Sequence, residues 1–141
     1  MRHFLIQVLN DADVGEAAKA IAFGALAFSG QVCMSTERVI VQSGVAQPLL
    51  GRLQELFETI KAGDPNDPSV GISALFSDAS AENVLGMIRD AQVQGGHVLC
   101  GDVQRQGSLV QPHIVTDVKP GMRLWQRESF GPGIHPRFPL R

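Results

Sequence analysis

Apolar positions along the chain fall into blocks that alternate between strand-like and helix-like spacing. Phe4, Leu5, Ile6, Val8 and Leu9 surround a single Gln and predict a buried strand over residues 4–9. Asp13 stands three residues before Glu16, the spacing of a capping box, and predicts a helix start; small and apolar residues then continue to about Phe28. Nearly every face of that helix is apolar after Lys19, so it should be covered on several sides. Residues 37–42 are β-branched enough to predict a central strand. Leu49, Leu50, Leu53, Leu56, Phe57 and Ile60 repeat at helical spacing and predict a helix over about 45–62, ended by Gly63-Asp-Pro65. Residues 71–76 read as either extended or loop. A third helix is predicted over about 81–94, stopped by Gly95-Gly96. Short strands follow at 97–100 and at 109–115, the second demoted to an edge or bulge by Pro112. From Gly133 onward, Pro136 and Pro139 interrupt any period, and residues 133–141 read as an irregular tail after a domain spanning 1–132.

Strands alternating with helices predict an α/β domain with a mostly parallel sheet flanked by helices. The 141 residues suffice for one such unit. Hydrophobic content of 44% and charged content of 18% fit a globular chain and exclude a disordered one. A net charge of −2 without any Lys/Arg cluster argues against nucleic acid or an anionic membrane surface as partner. No apolar run reaches the roughly 18 residues of a membrane span, and the start lacks a signal-peptide cleavage pattern. Cys33 and Cys100 make neither a disulfide framework nor a metal-ligand spacing, so a reducing, cytoplasmic setting is expected.

The candidate chemistry centres on Cys33. It lies just past the first helix, in a turn opening at Gly30, where backbone N–H groups could stabilise a thiolate or the oxyanion formed when a thiolate adds to a carbonyl. A buried structural Cys is the alternative for that residue type. His3, His97, His113 and His135 are scattered, with no metal-ligand spacing, so no metal is expected. His113 reads as a surface residue, and it and His135 as secondary acid/base candidates. Glu37 reads as an ion-pair partner of Arg38 or of a neighbouring strand, or as a group orienting something near the thiol. Trp125 and Cys100 read as packing residues.

Gly30-Gln-Val-Cys33 followed by Met-Ser-Thr-Glu-Arg-Val39 resembles the catalytic-cysteine loop of the aldehyde dehydrogenase superfamily, closest to the branch acting on vanillin and salicylaldehyde. Val8–Asp13, Gly63-Asp-Pro65, Gln111-Pro-His-Ile-Val115 and Met122–Pro132 resemble further family segments in the same order. The resemblance implies a partial catalytic domain without the Rossmann cofactor domain. It implies Cys33 as the nucleophile that forms a thiohemiacetal, which yields hydride to NAD(P) and leaves a thioester for hydrolysis. It also implies Glu128 and Phe130 as cofactor contacts, and Gln31 with Phe130 at the substrate pocket. No Gly-rich phosphate loop is present. The family's general-base Glu and oxyanion Asn would fall upstream of Met1. This chain alone is therefore expected to bind no dinucleotide and to carry out no redox turnover.

Three functions follow as expectations. One is an aldehyde dehydrogenase-derived protein acting on a carbonyl or aromatic small molecule of secondary metabolism. The next is a repurposed, cofactor-independent isomerase or cyclase with a pocket between subunits. The last is a non-catalytic pseudoenzyme or binding module. Apolar surface and open sheet edges left by a partial domain predict a homodimer or higher oligomer.

Overall fold

The computed structural model of the chain describes residues 4–140, with side chains through residue 137. His3 and Arg141 lie outside the described residues. Strand β1 (Phe4–Val8) leads into helix α1 (Val14–Leu26). The Asp13 carboxylate accepts the Glu16 N–H at 3.0 Å, satisfying one of the helix's orphan donors. Strand β2 (Thr36–Gln42) runs without a loop into helix α2 (Ser43–Thr59), which buries Ala46, Leu49, Leu53 and Phe57 along one stripe. Helix α3 (Asp78–Val93) starts where the Ser77 hydroxyl accepts the Ser80 N–H. Then follow β3 (His97–Cys100), a small hairpin of β4 (Arg105–Gln106) and β5 (Leu109–Val110), β6 (His113–Thr116), the short α4 (Arg123–Gln126) and β7 (Gly133–Leu140).

The main sheet has the order β1-β2-β7-β6-β3, parallel at every pairing except β3 with β6. Successive side chains of a strand point to opposite faces, and Ile114 and Val115 accordingly enter two different cores. The first core packs α1 and α2 against Val8, Val39, Val41 and Ile134. The second packs α3 and the α4 region against Val110 and Val115. The α/β reading with a mostly parallel, helix-flanked sheet holds.

Several details differ from the sequence reading. Residues 133–140, read as an irregular tail, form β7, an interior strand between β2 and β6. The boundary drawn at residue 132 is therefore the entrance to a sheet strand. A strand buried on both faces shows no alternation, and Pro136 hides it further; Ile134, His135 and Pro136 are all buried. β1, read as buried, is an edge strand with Phe4 and Leu5 exposed. Pro112 splits the predicted 109–115 strand into β5 and β6; β6 lies inside the sheet rather than at its edge, and its pairing with β3 carries a register irregularity between Val98 and Cys100.

His113, read as a surface residue, is fully buried at the start of β6. Its Nε2 accepts the Val103 N–H at 3.1 Å, so the neutral ring carries its proton on Nδ1. Burial holds its pKa below the usual imidazole range, with the Gln111 backbone and Asp102 opposing. The unfolded chain therefore takes up this proton first as pH falls. The stability that neutral His113 contributes is complete above the unfolded value of about 6.5 and is lost below it. The urea midpoint should decline from pH 7 to pH 5, and H113Q should flatten that slope.

Candidate functional site

The cysteine turn is built on a strained approach. After α1 the chain makes a 3-10 turn over Ala27–Gly30, in which Phe28, Ser29 and Gly30 take φ of 51°, 58° and 75°. Two consecutive non-glycine residues in the left-handed region cost about 1–2 kcal/mol each, so the surroundings must hold them. The Ser29 hydroxyl donates to the Ser73 carbonyl at 2.8 Å, and Gln31 Oε1 accepts the Phe76 N–H at 2.8 Å. Gly30 lies against the backbone of Gly131: a Cβ built on Gly30 would sit 2.1 Å from the Gly131 carbonyl oxygen.

This anchored stretch feeds a tight turn. The Ser35 N–H donates to the Val32 carbonyl at 2.9 Å, and the Val32 N–H donates back to Ser35 Oγ at 3.3 Å. Cys33 and Met34 stand at its crest, both exposed. Cys33 is thus the accessible thiol, whereas Cys100 is buried at the end of β3. A thiol in this setting can reach an electrophile from solvent.

Glu128 and Phe130 come to the same place. With Phe4, Val32, Cys33, Ser35 and Glu37 they line a depression of ≈ 10 Å³, room for about one water. Phe130 is 44% exposed and has φ of 52°. Gln31, expected in a substrate pocket, is not among the residues lining this depression. Its side-chain amide hydrogen-bonds the Phe28 carbonyl and the Phe76 N–H. The secondary acid/base candidates His113 and His135 lie in the interior, around a cavity shared with Ser129 and Glu37.

Glu37, left open in the sequence between an ion pair and a group orienting something near the thiol, hydrogen-bonds the 129–130 backbone. It is 7% exposed, and its Oε1 accepts the Ser129 N–H at 2.6 Å, the Ser129 hydroxyl at 2.7 Å and the Phe130 N–H at 3.2 Å. Arg38 turns elsewhere: it donates to the Trp125 carbonyl at 2.6 Å and lies over the indole at 4.6 Å. The guanidinium of Arg137 lies 4.3 Å from the same ring centroid. The early hint of the Glu37 role was a carboxylate at the start of a central strand, a placement that demands a partner.

No group of His, Cys, Asp and Glu among the described residues could hold a metal ion. No described helix is long and apolar enough to cross a membrane. Among the described residues no Gly-rich strand-to-helix phosphate loop stands beside Glu128 and Phe130, so these two residues alone do not make a dinucleotide site. A larger groove of ≈ 580 Å³, lined by Phe23, Leu26, Leu56 and Ile60 together with Lys19 and Ser73, is mostly apolar and reaches none of Cys33, Glu128 or Phe130.

Residues 5–135 match the aldehyde dehydrogenase family. A vanillin dehydrogenase of Pseudomonas fluorescens is 42% identical over 125 residues, covering 89% of this chain and 26% of the relative. A salicylaldehyde dehydrogenase of Pseudomonas sp. (strain C18) is 40% identical over 128 residues, with the same coverage. Among solved structures, the NADP-dependent glyceraldehyde-3-phosphate dehydrogenase of Bacillus halodurans, complexed with NADP, superposes with a TM-score of 0.86 at 37% identity, covering 94% of this chain and 27% of that one. The chain thus spans about a quarter of the length of the curated relatives it matches.

Proposed function

Because the chain belongs to the aldehyde dehydrogenase family, we propose that it supplies the aldehyde-capturing cysteine of such a site. The Cys33 thiolate adds to the carbonyl carbon of an aldehyde; the S–C bond forms, the C=O π pair moves to oxygen, and a solvent proton gives the thiohemiacetal. The observation that carries this reading is the exposed Cys33 on an anchored turn, with Glu128 and Phe130 beside it. Relatives named for vanillin and salicylaldehyde favour an aromatic aldehyde.

Onward oxidation needs a hydride acceptor. NAD(P) would serve that purpose, but the described residues do not make its site. Capture is the step that this chain's own residues supply, with Glu128 and Phe130 flanking the adduct. The exposed Phe23, Phe28 and Phe76 support self-association, which static light scattering reads directly. A reducing cytoplasm would keep Cys33 free.

The test is protection of the thiol. Millimolar vanillin should slow iodoacetamide modification of Cys33 in a saturable way, and C33S should show no such modification. Added NAD should release no binding heat in calorimetry. An alkylation rate indifferent to vanillin would remove the capture reading.

A further inference from the structure

The two flanks of the cysteine turn meet the same distant segment. Three residues before Cys33, Gly30 lies against the carbonyl of Gly131. Four residues after it, Glu37 takes two consecutive backbone N–H groups and one hydroxyl from Ser129 and Phe130 through a single carboxylate oxygen. Ser129 Oγ in turn accepts the Gly131 N–H at 3.3 Å. The chain of contacts closes on itself: Gly30, the cysteine turn, Glu37, Ser129, Gly131 and back to Gly30.

The geometry points to Glu37 as a positioning residue that fixes Glu128 and Phe130 against Cys33. Phe130 needs such a hold, because its φ of 52° is disfavoured for an aromatic residue and persists only where neighbours impose it. Hydrogen bonds from two adjacent N–H groups converge on one carboxylate oxygen and fix the direction of that backbone. They tie a turn to a strand 92 residues away in sequence. Glu37 also lines the depression together with Cys33 and Phe130, so loss of its carboxylate acts at the site itself. The other link, between Gly30 and Gly131, is a backbone contact without a hydrogen bond and sets distance only. Glu37 is thus the element that orients the phenyl ring. The proposal rests on Cys33 being the reacting thiol, and it goes beyond the capture reading by saying what shapes the space above it.

The experiment compares Cys33 modification by a small reagent, iodoacetamide, with that by an aromatic one, N-phenylmaleimide, in the full chain. With Phe130 held, the ring limits entry of the larger reagent. E37A should raise the ratio of N-phenylmaleimide to iodoacetamide rates by about tenfold, the scale of one charge-assisted hydrogen bond. E37Q, which keeps an acceptor oxygen at the same reach, should stay within about threefold of the starting protein. S129A removes only the hydroxyl link and should fall between them, which keeps the test open if E37A folds poorly. Because Cys33 is exposed without opening, general destabilisation leaves the ratio unmoved. An unchanged ratio in E37A and S129A, or an E37Q ratio equal to that of E37A, overturns the assignment. Failure of vanillin to protect Cys33 in the unsubstituted chain would instead strike the capture reading and leave these ratios interpretable.

Discussion

Replacing Gly30 by alanine is expected to destabilise the fold by at least about 3 kcal/mol, the range of backbone strain and a steric clash acting together. Two independent costs add. The residue has φ of +75°, a conformation that costs an L side chain about 1 kcal/mol or more. The new methyl would also meet the Gly131 carbonyl oxygen at 2.1 Å, and the obstacle is backbone rather than a flexible side chain. Relief requires that the 129–131 turn retreat, which pulls on the three bonds held by Glu37. Gly51 supplies the matched control. It lies within α2, with nothing within 4 Å of an added Cβ. There alanine should stabilise by about 0.5–1 kcal/mol, because helical glycine carries the larger conformational entropy loss. Urea unfolding of G30A and G51A should move the midpoint in opposite directions; shifts of like sign would show that the Gly30 contact is not tight.

The periodic parts of this fold were legible because their physics is local. The Asp13 to Glu16 spacing gave the start of α1, and the Leu49, Leu53, Phe57 stripe gave the buried face of α2. The helix after Ser77 and the central place of β2 were likewise readable. What escaped depends on partners far along the chain. β7 contains His135, Pro136 and Arg137 and becomes a strand only because β2 and β6 offer it edges on both sides. His113 reads as polar, yet it is buried in the interior, where its Nε2 accepts the Val103 amide. At the candidate site, Cys33, Glu128 and Phe130 were each identified from short motifs, and folding brings them to one depression. Glu37 stayed open between an ion pair and an orienting role because its hydrogen-bond partner Ser129 lies 92 residues away, while Arg38, next in sequence, engages Trp125. Adjacent strand residues face opposite ways, so an ion pair between them was the poorer guess on geometry alone.

The two thiols should differ in reactivity by at least about a hundredfold at neutral pH, the factor that an opening free energy near 3 kcal/mol imposes. Cys33 needs no opening, since it stands exposed on its turn. Cys100 is buried, its sulfur facing the Pro112 carbonyl, and burial pushes its pKa up, reinforced by Glu58 and opposed by the Gly101 backbone. Low thiolate fraction and occlusion therefore act together on Cys100. Mass spectrometry after brief iodoacetamide treatment should find one adduct, on the peptide containing Cys33, and none in C33S. Denaturing urea should expose the second thiol and bring C33S to one adduct. Because Cys100 lies on β3, the end strand of the sheet, its slow modification should track local detachment of that strand rather than global unfolding. Modest urea should then accelerate it less steeply than the full unfolding transition predicts. Fast labelling of Cys100 in the native protein would mean that β3 is loosely held, and the contrast that singles out Cys33 as the accessible nucleophile would disappear.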